Sequence, residues 1–425
     1  MDESRRGFLK RSGAAATAAA SFTIVKPELV RGFAPEKLKI GLVGCGGRGT
    51  QAVIDTLTAN PNLELVAMAD LFEDKLEGSL RWMPEDKRYN ASIGARINVA
   101  PDHRFTGYDA FKKMMASDID IVLLCTPPGY RPAHFEAAIH AGKHVFTEKP
   151  IATDATGVRR FMAAAKLAGQ KKLSVVSGAQ NRFAPRRMEA VDKIRGGGIG
   201  DIAATYAQYI VDSPVFHATS RDPKWGDMEW QHRNWYSFLW LCGDQIVEQH
   251  FHNIDFVNWV MGAHPVKVVA SGGAAWRPRE PLYGNIYDHI AADFVYPNGV
   301  HMSSHCRQYP KGVGPRQVGE IIVGSKGRMD FDYKTIGQQS VNPYEAEHAA
   351  LVKSITGEGP YLNHGIPVAE STLTAIMGRE SAYSGLEITW DMILNSKQDL
   401  QPKEFGNDVK MEEIPLPVPG QYKFV

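Results

Sequence analysis

Lys39-Ile40-Gly41-Leu42-Val43-Gly44-Cys45-Gly46-Gly47-Arg48-Gly49 is the stretch on which the reading of this chain turns. Lys39 to Val43 reads as a short strand, and it runs directly into a Gly-x-Gly-x-x-Gly loop. Such a loop arises by chance, so its flanks decide its meaning. A helix-like stretch from Gln51 to Leu57 follows, and then a second strand, Leu63 to Ala69, that ends at Asp70. This order of strand, glycine loop, helix, strand and acidic residue is a dinucleotide-binding fingerprint. Gly44 permits the tight turn, Gly46 lets a pyrophosphate approach the backbone, and Gly49 lets the helix pack close to the strand. Gly47 and Arg48 complete the loop, at a helix N-terminus whose free N–H groups favour negative charge. Asp70 can accept both hydroxyls of an adenosine ribose and repels a 2′-phosphate. NAD is therefore expected over NADP, for which the nearest cation in sequence is Lys75.

Beyond the loop, short β-branched runs alternate with longer amphipathic ones, the pattern of βαβ units and a parallel sheet. Ile119 to Cys125 reads as a buried strand ending at Thr126-Pro127-Pro128, with a helix through His134 to Ala141. Gly142 to Thr147 leads to Glu148-Lys149-Pro150, another strand terminus. Ligands gather at such carboxyl ends. A helix from Gly157 to Lys166 and a strand at Leu173–Val176 open the second half, whose alternating strands and long loops suit an open, mainly antiparallel sheet. Tyr344–Gly357 and Val368–Gly385 read as amphipathic helices packing back near the cofactor domain. The expected class is α/β, with a leader and linker over 1–34, a Rossmann domain over 35–156 and a substrate and oligomerisation domain over 157–425.

Composition narrows the function. A chain of 425 residues exceeds one ordinary core. Its 48 basic and 47 acidic residues give no electrostatic reason for nucleic acid, so the expected partner is a small molecule. Cys45, Cys125, Cys242 and Cys306 are too widely spaced for a disulfide or zinc framework and are expected as free thiols. Ser4-Arg5-Arg6-Gly7-Phe8-Leu9-Lys10 and the Ala-rich run after it form a basic head on a short, weakly apolar stretch. This resembles the twin-arginine export signal, which implies the export machinery as a partner and a periplasmic or cell-envelope location.

From Glu148-Lys149-Pro150 the chain is similar to the glucose-fructose oxidoreductase, inositol dehydrogenase and rhizopine-catabolism family, written Gfo/Idh/MocA. The resemblance rests on the glycine loop, Thr126-Pro127-Pro128, the Glu-Lys-Pro tripeptide, Gln180-Asn181-Arg182-Phe183 and the segment Gly243 to Asp255. It implies NAD-dependent oxidation of a sugar, glycoside or polyol hydroxyl, a homo-oligomer formed through the second sheet, and cofactor contacts from Thr126, Pro127, Glu148 and Gln180. It also implies that Lys149 lies beside nicotinamide and substrate, and that His252 is the catalytic histidine. Glu248 stands where the family usually has Asp, and residues four apart on a helix share a face, so Glu248 and His252 are expected to act together.

The chemistry can be built from the residues themselves. Taking a hydride from a carbinol needs a base for the hydroxyl proton, which suits His252. Lys149 can hold the hydroxyl or relay its proton, and Glu248 can orient one of them. His250 lies two residues from His252, on another helical face, so no metal site is expected. His301 and His305 are expected to be buried structural residues. Trp225, Trp230, Trp235 and Trp240 lie in one short stretch with His232, Arg233, Asn234 and Tyr236, as a carbohydrate site would use them. Arg182, Arg233, Trp235 and Tyr236 are the expected substrate contacts. Two other functions compete: a glycoside hydrolase that uses NAD for transient C3 oxidation without net redox change, and a non-catalytic sugar-binding protein.

Overall fold

The strand read at Lys39–Val43 is β1 (Leu38–Val43) of a computed structural model that describes residues 37–212, 218–310, 312–314, 316–333, 341–412 and 414–425. The motif Ser4–Lys10 lies outside the described residues. After β1 come α1 (Gly47–Ala59), β2 (Leu63–Asp70), α2 (Glu73–Trp82), α3 (Ala91–Gly94), β3 (Arg104–Thr106), α4 (Ala110–Ala116), β4 (Ile121–Leu124), α5 (Arg131–His140), β5 (His144–Thr147), α6 (Ala155–Gln170) and β6 (Val175–Ser177). These strands form a parallel sheet in the order β3-β2-β1-β4-β5-β6. Strand order reverses between β1 and β4, which opens a crevice at their carboxyl ends, the usual ligand position of such sheets. All of β4 is buried, and covering on both faces explains why it reads as one apolar run.

The first sheet runs past the boundary expected at residue 156. Helix α6 packs on α5, and β6 pairs with β5, so the stretch to Ser177 belongs with the Rossmann sheet. Sequence pattern could not show this, because β6 is a three-residue strand whose place depends on its partner.

The second half comprises α7 (Pro185–Arg195), β7 (Ile202–Val211), α8 (Asp227–Arg233), α9 (Leu239–Cys242), α10 (Gln245–Glu248), α11 (Phe251–Met261), β8 (Lys267–Gly273), β9 (His289–Val295), β10 (His301–Gln308), β11 (Gln317–Gly324), β12 (Gly327–Asp332), α12 (Pro343–Thr356), α13 (Gly365–Ser384), β13 (Ile388–Thr389) and α14 (Trp390–Asn395). Its sheet has the order β12-β11-β7-β10-β9-β8-β13, antiparallel except where β7 and β10 run parallel. Helices α11 and α13 cover one face. The register aligns Val269, Asp293, Ser303, Tyr206 and Ile321 on the other face, where Val269 and Tyr206 are exposed. His301 and His305 belong to that outer face and are exposed rather than buried, with His301 paired to Asp293 at 2.9 Å.

The two C-terminal helices do pack back on the first domain, α12 against α1 and α13 against α6. Helix α13 is not amphipathic, however. Every residue from Ser371 to Ser384 is buried, because the helix is sandwiched between α6, α11 and the second sheet. Its buried Arg379 pairs with Glu380 at 2.8 Å and donates to the carbonyls of Thr153 and Gly243. That contact fixes the chain just ahead of Asp244 and α10. The four cysteines are free thiols, as expected.

Candidate active site

The glycine loop folds as its three roles require. Gly44 has φ +97°, and a Cβ there would lie 2.6 Å from the backbone of Cys125 and Thr126, so the β1 and β4 loops touch only because this residue has no side chain. At Gly49 a Cβ would come within 1.9 Å of the Gly44 carbonyl oxygen. Gly46 and Gly47 differ, since a Cβ on either meets nothing within 4 Å. Both face a cavity of about 660 Å³. Gly46 precedes α1 without a capping side chain, which leaves the first N–H groups of that helix to a ligand. Asp70, at the end of β2, lines the same cavity and accepts the backbone N–H groups of Cys45 at 2.6 Å and Phe72 at 2.9 Å. Burial raises its carboxyl against those two donors. The open cradle, the exposed helix N-terminus and the carboxylate at one end fit a dinucleotide. Gly44, Gly46, Gly47, Arg48, Gly49, Asp70, Thr126, Pro127, Glu148 and Gln180 all line the cavity and would hold it.

At the far end of the cavity stand Lys149, Glu248 and His252. The Lys149 ammonium donates to the Glu248 carbonyl oxygen at 2.7 Å and lies 3.4 Å from its carboxylate. Burial raises the Glu248 carboxyl above its ordinary value, against the pull of Lys149 and Arg131, and among the described residues its Oε2 has no hydrogen-bond partner. Burial, reinforced by the charges of Lys149, Arg187 and Arg48, holds His252 well below the usual imidazole value, so it is neutral at ordinary pH. Among the described residues its Nδ1 is likewise buried without a hydrogen-bond partner. The glycine loop and this cluster are mechanically joined through Arg48, whose Nε donates to Glu148 at 2.5 Å and whose Nη1 donates to Asp55 at 3.1 Å. Burial acts to raise Glu148, but Arg48, Lys149 and Arg131 hold it below the ordinary carboxylate value.

Glu248 and His252 do not share a helix. Helix α10 ends at Glu248 and α11 starts at Phe251, with the His250 N–H reaching back to the Gln245 carbonyl. Two short helices therefore bring the pair to one cavity, and Glu248 bonds Lys149 rather than His252. His250 turns away, placing Nε2 2.8 Å from the Ser304 hydroxyl. Among the described residues no cluster could hold a metal ion.

The expected substrate contacts separate. Trp235 lines the cavity. Arg182 does not; it makes a two-point ion pair with Asp255 at 2.8 and 3.0 Å and lies over Trp259. Tyr236 is buried, its hydroxyl accepting from Gln308 at 2.6 Å. Arg233 lines the cavity at the Asp70 end, where it stacks 3.9 Å over Phe72 and pairs with Asp74 and Glu229. Its place is therefore near the adenosine half of a bound dinucleotide. Trp230 and Trp240 belong to a separate apolar cluster. Sequence reasoning missed Tyr209, Arg316, Tyr333 and Tyr344, which enter the cavity from β7, the start of β11, the end of β12 and α12. Tyr333 and Tyr344 both accept from the Gln180 amide, at 3.3 and 3.2 Å. No local motif marks isolated residues of this kind.

Comparison with known proteins matches both halves of the chain. Residues 38–177 match the GFO/IDH/MocA oxidoreductase family, NAD-binding Rossmann fold, and residues 188–330 match the GFO/IDH/MocA C-terminal domain. Inositol 2-dehydrogenase of Rhizobium meliloti (strain 1021) is 27% identical over 234 residues, 55% of this chain and 58% of that protein, so the chain spans less than two thirds of that relative. A glycosyl hydrolase family 109 protein of Solibacter usitatus is 31% identical over 115 residues, 27% of this chain and 24% of that protein. Among solved structures, aldose-aldose oxidoreductase from Caulobacter crescentus complexed with glycerol superposes with a TM-score of 0.64 at 20% identity, over 83% of this chain and 99% of that one. Scyllo-inositol dehydrogenase from Lactobacillus casei with bound NAD(H) and scyllo-inositol gives 0.62, also at 20% identity, over 83% and 99%. At such identities the structures speak for the fold. Together, the two matched domains and the parallel and mixed sheets that carry them place this chain in the GFO/IDH/MocA oxidoreductase family, with an NAD-binding Rossmann domain.

Proposed function

We propose that the chain oxidises one hydroxyl of a sugar, glycoside or cyclic polyol with NAD. The observation that carries this reading is the convergence of Lys149, Glu248 and a neutral His252 at one end of a cavity whose other end is the glycine cradle and Asp70. NAD, when bound, supplies the acceptor for the carbinol hydride. His252 takes the hydroxyl proton, Lys149 holds the hydroxyl oxygen, and Glu248 fixes the Lys149 ammonium. The proton goes to the imidazole as the hydride leaves carbon, and a carbonyl remains. NAD is favoured over NADP because Asp70 would face the 2′ position and the nearby Arg233 is already paired with Asp74 and Glu229. The inositol dehydrogenases among the relatives support a polyol or sugar as substrate.

The similarity to a family 109 glycosyl hydrolase supports a second reading, in which a glycosidic bond is cleaved with no net redox change. Denaturing the purified protein and assaying released nicotinamide, followed by incubation with polyols and aryl glycosides, separates the two. Accumulating NADH supports the dehydrogenase. Aglycone release without NADH supports the hydrolase, and a protein without NAD affinity overturns both. Ser4–Lys10 supports export by the twin-arginine machinery to the periplasm or cell envelope, and the outer face of the second sheet, with Tyr206, Val269 and Ile321, supports a homo-oligomer.

A further inference from the structure

A second cavity, of about 360 Å³, lies apart from the cofactor site. Its apolar wall is formed by Trp230, Trp240 and Phe238, each at least nine-tenths buried. Arg277 is the buried charge of this wall, 6% exposed. Its backbone N–H bonds Asp288 at 2.9 Å, but among the described residues its guanidinium has no hydrogen bond or ion pair, and Nε is buried without a partner. The other charged residues of the cavity do not answer it. Arg221 and Asp227 pair with each other at 2.8 Å, and Arg279, Glu280 and Glu412 are exposed.

Two buried amides add donors. Gln231, 8% exposed, accepts the Trp240 indole N–H with Oε1, and Asn285, 6% exposed, accepts the Leu239 N–H with Oδ1. Because both partners can only donate, the oxygen and nitrogen of each amide are assigned without ambiguity. The remaining NH₂ groups of Gln231 and Asn285 have no acceptor among the described residues, and both residues line the cavity. The buried part of the wall thus presents a guanidinium, two free amide donors and indole surfaces whose N–H groups are already satisfied, while Asp227 is paired with Arg221 and the carboxylates of Glu280 and Glu412 stand at the exposed rim. Burying an unpaired cation is costly, so a wall that retains one is complementary to an anion.

We propose that this cavity binds a small ring-shaped carboxylate. Its carboxylate would engage Arg277 by two N–H bonds, the amides would donate to its oxygens, and its ring would pack on the tryptophans. The volume is ample for a six-membered ring acid. Helix α8 is the partition between the two cavities: Trp230 and Gln231 line this one, and His232 and Arg233 line the cofactor cavity. The proposal does not depend on which hydroxyl compound the first cavity oxidises.

The test is titration calorimetry of the full chain with benzoate and with glucuronate, against neutral benzyl alcohol and glucose, on wild type, Arg277→Met and Gln231→Glu. Gln231→Glu keeps an oxygen for Trp240 and replaces the free donor with negative charge, so it decides the matter if Arg277→Met fails to fold. The expected result is one acid bound per chain, its neutral counterpart at least ~10-fold weaker, and a loss of at least ~10-fold in each folded variant with NAD affinity unchanged. Preference for glucuronate identifies a sugar acid and preference for benzoate an aromatic one. Absence of binding by both acids, or binding that persists in Gln231→Glu as an active-site ligand would, overturns the proposal.

Discussion

The Lys149 ammonium lies 2.7 Å from the carbonyl oxygen of Glu248 and 3.4 Å from its carboxylate, joining the end of β5 to the turn between α10 and α11. Both side chains are nearly buried, so the pair is a fixed part of the cavity wall and not a surface contact. Lys149→Ala removes the group assigned to the reacting hydroxyl. Turnover is expected to fall by roughly 10²–10⁴-fold while NAD affinity changes little, since the glycine cradle is untouched. Steady-state kinetics with the substrate found by the turnover assay, alongside NAD titration, check this; unchanged kcat would remove Lys149 from the chemistry.

His252 is held neutral by burial and by the positive charges around it. A base with a lowered pKa stays competent until the pH falls to that value, so the acid limb of kcat/KM is expected below the ordinary imidazole value of ~6.5. A pH profile of wild type and His252→Gln gives the answer. A limb at or above ~6.5 in the wild type would show that some other group governs the rate.

Asp70 separates the two cofactors by charge. Asp70→Ala removes the carboxylate that would repel a 2′-phosphate, and the paired Arg233 and nearby Lys75 remain. The ratio of NADP to NAD affinity is expected to rise by about 10-fold or more, equivalent to ~1.4 kcal/mol. Fluorescence titration with both reduced cofactors measures it, and an unchanged ratio would assign discrimination elsewhere.

How much of this site was legible depended on whether the partners lay close in sequence. The glycine loop, Asp70 and the ends of β4 and β5 were readable because each role is set by local backbone geometry, as the +97° φ of Gly44 illustrates. Arg182 and Tyr236 went elsewhere because Asp255 and Gln308, over seventy residues away in the chain, claim them. Glu248 and His252 have helical spacing, but the helix breaks between them, and only the fold reveals that both still reach the cavity. The buried faces of α13 were equally hidden, since its Ser, Thr, Arg and Glu look like a solvated side until their partners are known.

The glycines of one loop should fail in different ways. A methyl at Gly49 meets the Gly44 carbonyl at 1.9 Å, inside the packed turn, whereas a methyl at Gly46 meets nothing of the chain and enters the cofactor cavity. Gly49→Ala is expected to lower stability by about 1–3 kcal/mol or more, as overpacking does. Gly46→Ala should keep the melting temperature and weaken NAD binding. Thermal unfolding and NAD titration of both variants check the contrast, and equal stability losses would contradict it.

Acid should destabilise the fold through histidines that are buried neutral. Burial lowers His134 and His250 to about 3, in His250 against a hydrogen bond that its Nδ1–H donates to the Asn253 amide oxygen and that pulls the other way. Between that value and ~6.5 the unfolded chain binds a proton that the native state refuses, so stability contributed by each is present above ~6.5 and is lost as the pH falls towards the folded value. From pH ~6.5 to ~5 the loss is about 2 kcal/mol per histidine, at 1.36 kcal/mol per unit. Buried carboxyls with raised values, Glu248 and Glu320 among them, act with the opposite sign, because their protonated forms are the ones the native state prefers. The comparison that isolates the effect is therefore between proteins rather than between pH values. His250→Asn should be less stable than wild type at neutral pH, having lost the contact to Ser304, yet its denaturant-unfolding free energy should fall less steeply between pH ~6.5 and ~5, by about 2 kcal/mol. Parallel pH dependences for the two proteins would mean that His250 titrates in the folded state much as it does in the unfolded chain.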